Sequence, residues 1–255
     1  GNWKPGKLPP PINISEDDFN GRELINKNIT PVKVGILGYR TVPAGHEDND
    51  ILALCISLLT NESKTGLIDN LEVNDHLQSV GIFNRDLVDH GGVGFFFLPV
   101  YGGGQSLDEA ESLVKQKIEQ LKNGEFSEAL LNAVKLTMIR EHEGNIESME
   151  GRLFNLIDVY IENSSWEDIT SWPENLNNIS RENIIETANK YFGDNYLVLH
   201  SNEGAPEKHK LEKPPFKPIV PKNTEERSDF ADKFSQINEG DLKLQFIEFD
   251  KVFIR

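Results

Sequence analysis

Sulfur is scarce in this chain: one cysteine and two methionines in 255 residues. A single cysteine, Cys55, rules out an intrachain disulfide and any zinc site built from four thiolates. It stands inside the apolar segment Ile51–Leu59, where a thiol reads as a small core residue rather than a nucleophile. Long apolar runs are lacking as well. None approaches the ~20 residues that span a bilayer. No basic start followed by an apolar stretch reads as a signal peptide. The expectation is a soluble protein of the cytoplasm or periplasm. Basic residues are in deficit, 26 against 42 acidic, for a net charge of -16. Such a surface repels phosphates, and no basic patch with interleaved aromatics offsets it, so nucleic acid is not an expected partner. Solubility is the ordinary consequence of the charge.

Complete metal motifs are lacking too. H-E-x-x-H and its inverse H-x-x-E-H place two zinc ligands one helical turn apart, with a glutamate to polarise water. His142-Glu143-Gly144-Asn145-Ile146 has no second histidine. His200-Ser201-Asn202-Glu203-Gly204 ends in glycine where a histidine is needed, and His209-Lys210-Leu211-Glu212-Lys213 ends in lysine. These read as solvated surface histidines. His46, Glu47, Asp48 and Asp50 form an oxygen-rich cluster, but acidic residues also belong at a helix N-terminus because of its dipole. Asp89-His90 has no serine or cysteine partner that spacing assigns. Gly102-Gly103-Gly104 precedes a helix, yet no phosphate-binding glycine motif is complete there, and a loop hinge is the reading.

What is present is a clear order of elements. Residues 1–30 read as an irregular lead-in, stiffened by Pro9-Pro10-Pro11. Val32–Tyr39 reads as a strand with Val32, Val34 and Ile36 on one face. Ile51, Leu54, Cys55, Leu58 and Leu59 mark a helix, with Asp48 or Asn49 as cap. Leu67, Ile68 and Leu71 mark a short second one. Ser79–Val88 and Val93–Val100 read as strands joined at Gly91-Gly92. Phe95, Phe96 and Phe97 make the second strand apolar on both faces, hence central. Ser106 and Glu109 form a capping box for a helix carrying Leu107, Ala110, Val114, Ile118 and Leu121. Ser127 opens a longer helix, and Met149, Leu153, Leu156, Ile157 and Tyr160 continue an apolar stripe. Ser180 caps a last helix before the strand Tyr196–His200. Five prolines between Pro206 and Pro221 mark a linker, and residues after it read as the start of a further domain. The expected fold is α+β, a two-layer sandwich of a mainly antiparallel sheet with helices on one face.

Five stretches, VKVGILGYRTVPAGHEDNDILALCISLLTNES, TGLIDNLE, DHGGVGFFFLPVY, GQSLDEAESLVKQKIEQLKNGEFSEALLNAVKLTMIREHE and SRENIIETANKYFGDNYLVL, resemble in order the second type of domain in the insulinase/pitrilysin zinc metallopeptidases, the inverzincin group with the processing-peptidase/LuxS-like metallohydrolase fold. The likeness covers residues 31–204. It implies a parent of two halves, each of two similar domains, closing around a chamber for peptides. Zinc then belongs to the parent, in a neighbouring domain with an H-x-x-E-H motif, and this chain has no metal or catalytic residue of its own. A later domain of such proteins carries an arginine and a tyrosine in a pattern like L-R-x-x-x-x-L-x-Y. Here Leu71–Ser79 occupies that place, with Glu72 for the arginine and Ser79 for the tyrosine. The departure implies the non-catalytic domain that follows the zinc domain in the first half. Its partners would be the zinc-binding domain, the second half and a peptide substrate, with no membrane. Alone, the chain is expected not to hydrolyse peptides. The alternatives are an inactive peptide- or protein-binding core subunit of the same family, and an unrelated α+β binding module.

Overall fold

The computed structural model describes residue 6 and residues 17–162, 164–207 and 226–236. The chain divides into two units, residues 1–207 and 208–255. The first contains β1 (Arg22–Thr30), β2 (Val34–Thr41), α1 (Asn49–Leu59), α2 (Asp69–Val73), β3 (Ser79–Asp86), β4 (Gly91–Leu98), α3 (Leu107–Lys122), α4 (Glu128–Glu147), α5 (Met149–Glu162), α6 (Trp166–Asn178), α7 (Arg181–Tyr191) and β5 (Tyr196–Glu203). In the second, α8 (Asp229–Ser235) is capped by Ser228 and stacks Phe230 on Phe234. Most of the proline-rich stretch, His209 and the segment after Leu242 lie outside the described residues.

The sheet has the order β1-β5-β2-β4-β3. Only β1 with β5 is parallel; the other three pairings are antiparallel. The α+β sandwich expected from the sequence is therefore the fold. One expectation is corrected at its edge: residues 22–30 are not irregular but form β1. Its apolar residues Leu24, Ile25 and Ile29 do not alternate, and the strand is almost wholly exposed, so it carries no period-2 signal.

The core lies between the sheet and α1, α3 and α7. Leu37 and Tyr39 of β2, Phe95 and Phe97 of β4, and Tyr196 and Val198 of β5 supply the sheet side. Tyr39, Phe95 and Phe192 meet edge to face, the arrangement favoured by the ring quadrupole. The strand at Val34–Thr41 turns Gly35, Leu37 and Tyr39 inward, so Val34 and Ile36 point to the opposite, half-buried face. Both sets are apolar, and alternation alone cannot choose between them. Gly35 is required by packing: a Cβ there would lie 2.0 Å from the Phe97 ring.

The helices start where their caps dictate. Ser106 with Glu109, and Ser180 with Asn183, make reciprocal boxes, and Ser127 caps α4. Ser165 with Asp168 makes a further box at α6. That helix contains Pro173, which has no amide hydrogen to give the carbonyl four residues back. The carbonyl is that of Ile169, and His142 Nε2 approaches it at 2.8 Å. The contact needs the proton on Nε2, because a carbonyl only accepts. His142 also stacks on Trp172, with ring centroids 4.7 Å apart. It is thus a half-buried structural bridge from α4 to α6, not the solvated histidine its sequence context suggests. We expect His142→Ala to lower stability by about 1 kcal/mol. In a Pro173→Ala background the loss should shrink, because alanine at that position would return an amide donor to the Ile169 carbonyl. A double-mutant cycle by urea unfolding measures that coupling, and strict additivity would refute the assignment.

Candidate functional site

Two regions of the first unit bring chemistry together. One is buried on the helix side of the sheet. His200 of β5 faces inward beside Phe97, and α3 lies over it. Glu111 of α3 is almost fully buried, with Oε2 3.0 Å from His200 Nε2. The ring nitrogen is not aligned for a hydrogen bond, so the contact is one of proximity and charge. Arg22 of β1 reaches the same carboxylate with both arms: Nε donates to Oε1 at 2.8 Å and Nη2 to Oε2 at 2.6 Å. Nη2 also reaches Asp108 at 3.1 Å. Burial alone would push the Glu111 carboxyl up, but the Arg22 fork outweighs it and holds the carboxyl below the usual carboxylate range.

Asp108, Glu111 and His200 offer three donor atoms within 4.8 Å of one another. They do not fit a zinc ion as they stand. The guanidinium is already seated on Glu111 in bidentate geometry, and a metal would have to displace a hydrogen-bonded cation. The cluster is an ion network that ties β1, β5 and α3 together.

The second region is the opposite face of the sheet. Ile25, Leu197, Leu199, Ile36, Phe96 and Phe83 share it by register, and all are half-buried or exposed. Two cross-strand pairs set its relief. The Phe96 ring covers Gly81, and the Phe83 ring covers Gly94; a Cβ would meet these rings at 2.4 and 2.2 Å. Gly38 beside Gly94 stays open: its nearest neighbours would be the Val93 and Leu197 carbonyl oxygens at 3.9 and 4.0 Å. The result is a groove of about 280 Å³, floored by Gly38, Gly92 and Gly94 and walled by Phe19, Ile36, Phe83 and Leu87. Arg40 and Arg85 stand at its rim, and Arg40 lies over the Phe19 ring at 4.6 Å. In a chain of net charge -16, this mouth is locally basic.

The other sequence candidates separate. Cys55 is buried, its thiol pointing at the Ile184 carbonyl, and burial pushes its pKa up to about 12. Asp48 sits at the N-cap of α1, but its carboxylate turns to Lys190 and Tyr191 instead of the helix amides. Asp50 accepts from Trp172 Nε1 at 2.7 Å. Glu47 stands apart and exposed, and Asp89 and His90 are exposed in the β3–β4 turn. Glu72 pairs with Lys64 at 3.1 Å and accepts from the Val80 amide, next to half-buried Ser79. The glycine turn before α3 is pinned by Gln105, which joins Val100 to His76. Sequence reasoning missed Arg22, Asp108 and Glu111. Their only signal is that β1 begins with an arginine and α3 carries acids one turn apart.

Both regions stand on one architecture, an open five-stranded sheet with helices packed against it. The family described as Peptidase M16 inactive domain matches residues 1–138, more than half of the chain, and the protein belongs to that family. Zinc protease PqqE of Helicobacter pylori is 24% identical over 161 residues, which are 62% of this chain and 35% of that protein. Among solved structures, a protease from Helicobacter pylori superposes with a TM-score of 0.68 at 20% identity, over 77% of this chain and 48% of that one. The inactive peptidase domain of a putative zinc protease from Bordetella parapertussis gives 0.59 at 16% identity, over 74% and 98%. The chain thus spans about a third of its curated relative and half of the Helicobacter structure.

Proposed function

We propose that this chain is a structural, chamber-lining domain of a larger zinc-dependent metallopeptidase, and that its open sheet face meets the peptide. The observation that supports this is the groove between Phe83 and Ile36. Apolar walls on a glycine floor accept a side chain of an extended peptide, and backbone that carries no side chain lets it come close. Zinc and the water it activates belong to another domain of the parent. The residues here position and confine the substrate, which is where binding energy from remote parts of a peptide is used. Glu72 and Ser79, which replace the arginine and tyrosine of a substrate clamp, fit a wall rather than a clamp.

The test fills the groove without disturbing the fold. Gly38→Leu places a side chain in open space, so its unfolding midpoint should match the unmodified protein. In the full-length protein it should raise KM for a peptide substrate roughly tenfold, the equivalent of one lost apolar contact. An unchanged KM with Gly38→Leu would refute the groove as a peptide contact.

A further inference from the structure

The rim of the groove has a geometry of its own. Gly92 of β4 pairs with Arg40 of β2 on one side and with Arg85 of β3 on the other. The three residues form one row across the sheet, and the two arginines flank a residue without a side chain. Their Cα atoms are two strand spacings apart, about 9.5 Å. The gap is open: among the described residues, the nearest neighbour of a Cβ on Gly92 would be the Tyr39 carbonyl oxygen at 3.6 Å. Arg40 is held over the Phe19 ring, and Arg85 is exposed. Like charges on one row repel, and the position between them holds a glycine where an acid would have paired with both. Glu23, which shares this face through Leu197, gives its carboxylate to the Asn20 amide. The next row of the same face is Gly38, Gly94 and Phe83, the floor and wall of the apolar groove. Rows that share a face are two residues apart, about 6.8 Å.

We propose that Arg85 and Arg40 bind a carboxylate of the peptide whose apolar side chain fills the groove. This rests on the reading of the groove as a peptide contact and adds a substrate class, peptides with an acidic group close to an apolar residue. Spacing selects the place of the acid. In a peptide lying extended along the strands, side chains two positions apart share a face at about 6.8 Å, the distance between the two rows. An aspartate or glutamate two positions from the apolar residue meets that spacing. The terminal carboxylate of a peptide that ends on the apolar residue also reaches from one row to the other. The chemistry is the same for both sources, guanidinium N–H groups donating to a carboxylate. Charge complementarity supports this occupant. The net charge of -16 repels an anionic peptide from the chain as a whole, so a local pair of cations gives the acid one place to settle and fixes the register of the peptide on the sheet.

Competition in the full-length protein tests this. The probes are alanine-rich peptides with one phenylalanine. One set carries Asp or Asn two positions to either side of it, and the other ends on the phenylalanine as the free acid or the amide. Each competes with a cleaved reporter peptide, in the unmodified protein and in Arg85→Gln. The result expected is tighter inhibition by the acid of at least one pair, about fivefold over its neutral twin, and loss of that difference in Arg85→Gln. The pair that responds identifies the source, side chain or terminus. Arg85 is exposed, so the variant should keep its unfolding midpoint. Equal inhibition by acid and neutral twins in the unmodified protein, or a preference for the acid that survives Arg85→Gln, would overturn the proposal. Its failure is separate from that of the groove. If Gly38→Leu weakens every phenylalanine peptide while the acid makes no difference, the groove stands and the carboxylate site falls.

Discussion

Asp69→Ala should cost about 4 kcal/mol of stability, a large share of what a domain of this size possesses. The carboxylate is fully buried at the start of α2. It receives the Thr60 hydroxyl at 2.6 Å, the Asn61 amide at 3.0 Å and the Gly66 amide at 2.9 Å, with Lys64 Nζ 3.8 Å away. These donors close the loop between α1 and α2, in which Lys64 adopts a left-handed φ of 55°. The loop in turn sets Ile68 and Leu71, both buried in the core. Alanine would leave two backbone amides and a hydroxyl without an acceptor, and an unpaired buried donor carries its full desolvation cost. Asp69→Asn should recover part of the loss, since its oxygen can keep both backbone amides while its amide group turns to the Thr60 hydroxyl, which can accept; the charge facing Lys64 is still lost. Urea unfolding measures both variants; a loss under about 1 kcal/mol for alanine would mean water replaces the carboxylate.

The sequence carried much of this fold, and what escaped it did so for physical reasons. Capping boxes are local, so Ser106 with Glu109 was legible in four residues. The triple phenylalanine of β4 was legible as an inner strand because its rings serve both faces: Phe95 and Phe97 enter the core, and half-buried Phe96 covers Gly81 on the open face. Edge strand β1 was not: it faces water on most of its length, and its partner β5 lies some 170 residues later. Periodicity located the α5 stripe but says nothing about direction. A helix presents the same pattern to its own core or away from it, and Met149, Leu153 and Tyr160 are exposed. The two faces of β2 illustrate the same limit, since Val34 and Ile36 are as apolar as Leu37 and Tyr39.

The sites were less legible than the fold. His200 was visible as a fragment of a zinc motif, but its neighbours come from β1 and α3, which no spacing rule connects to it. The groove depends on which glycines face which rings across the sheet, and that is a property of register.

The network of Arg22 and Glu111 makes the second large prediction. Arg22→Met should lower stability near neutral pH by about 2 to 3 kcal/mol, less than for a fully buried pair because a third of the Arg22 side chain meets water. The sign of the pH dependence should also change. In the unmodified protein the Glu111 carboxyl is held below its ordinary range, so its contribution is present above the unfolded pKa of about 4.3 and is lost as pH falls through the lower folded value. Without Arg22, burial is the largest influence left on the Glu111 carboxyl, with only His200 still opposing it, so the carboxyl rises and folding then favours the protonated form. The remaining groups facing it are His200, Tyr196 with Lys115 behind it, and Asp108 on the same helix. The stability gap between the two proteins should therefore be widest near pH 7 and narrow toward about pH 4, as Glu111 takes up its proton in the variant. Arg22→Lys keeps the charge without the two-armed fork and should fall between them. Urea midpoints at a series of pH values read all three proteins. A gap that is constant with pH would show that Arg22 stabilises by packing its stem and not by neutralising Glu111.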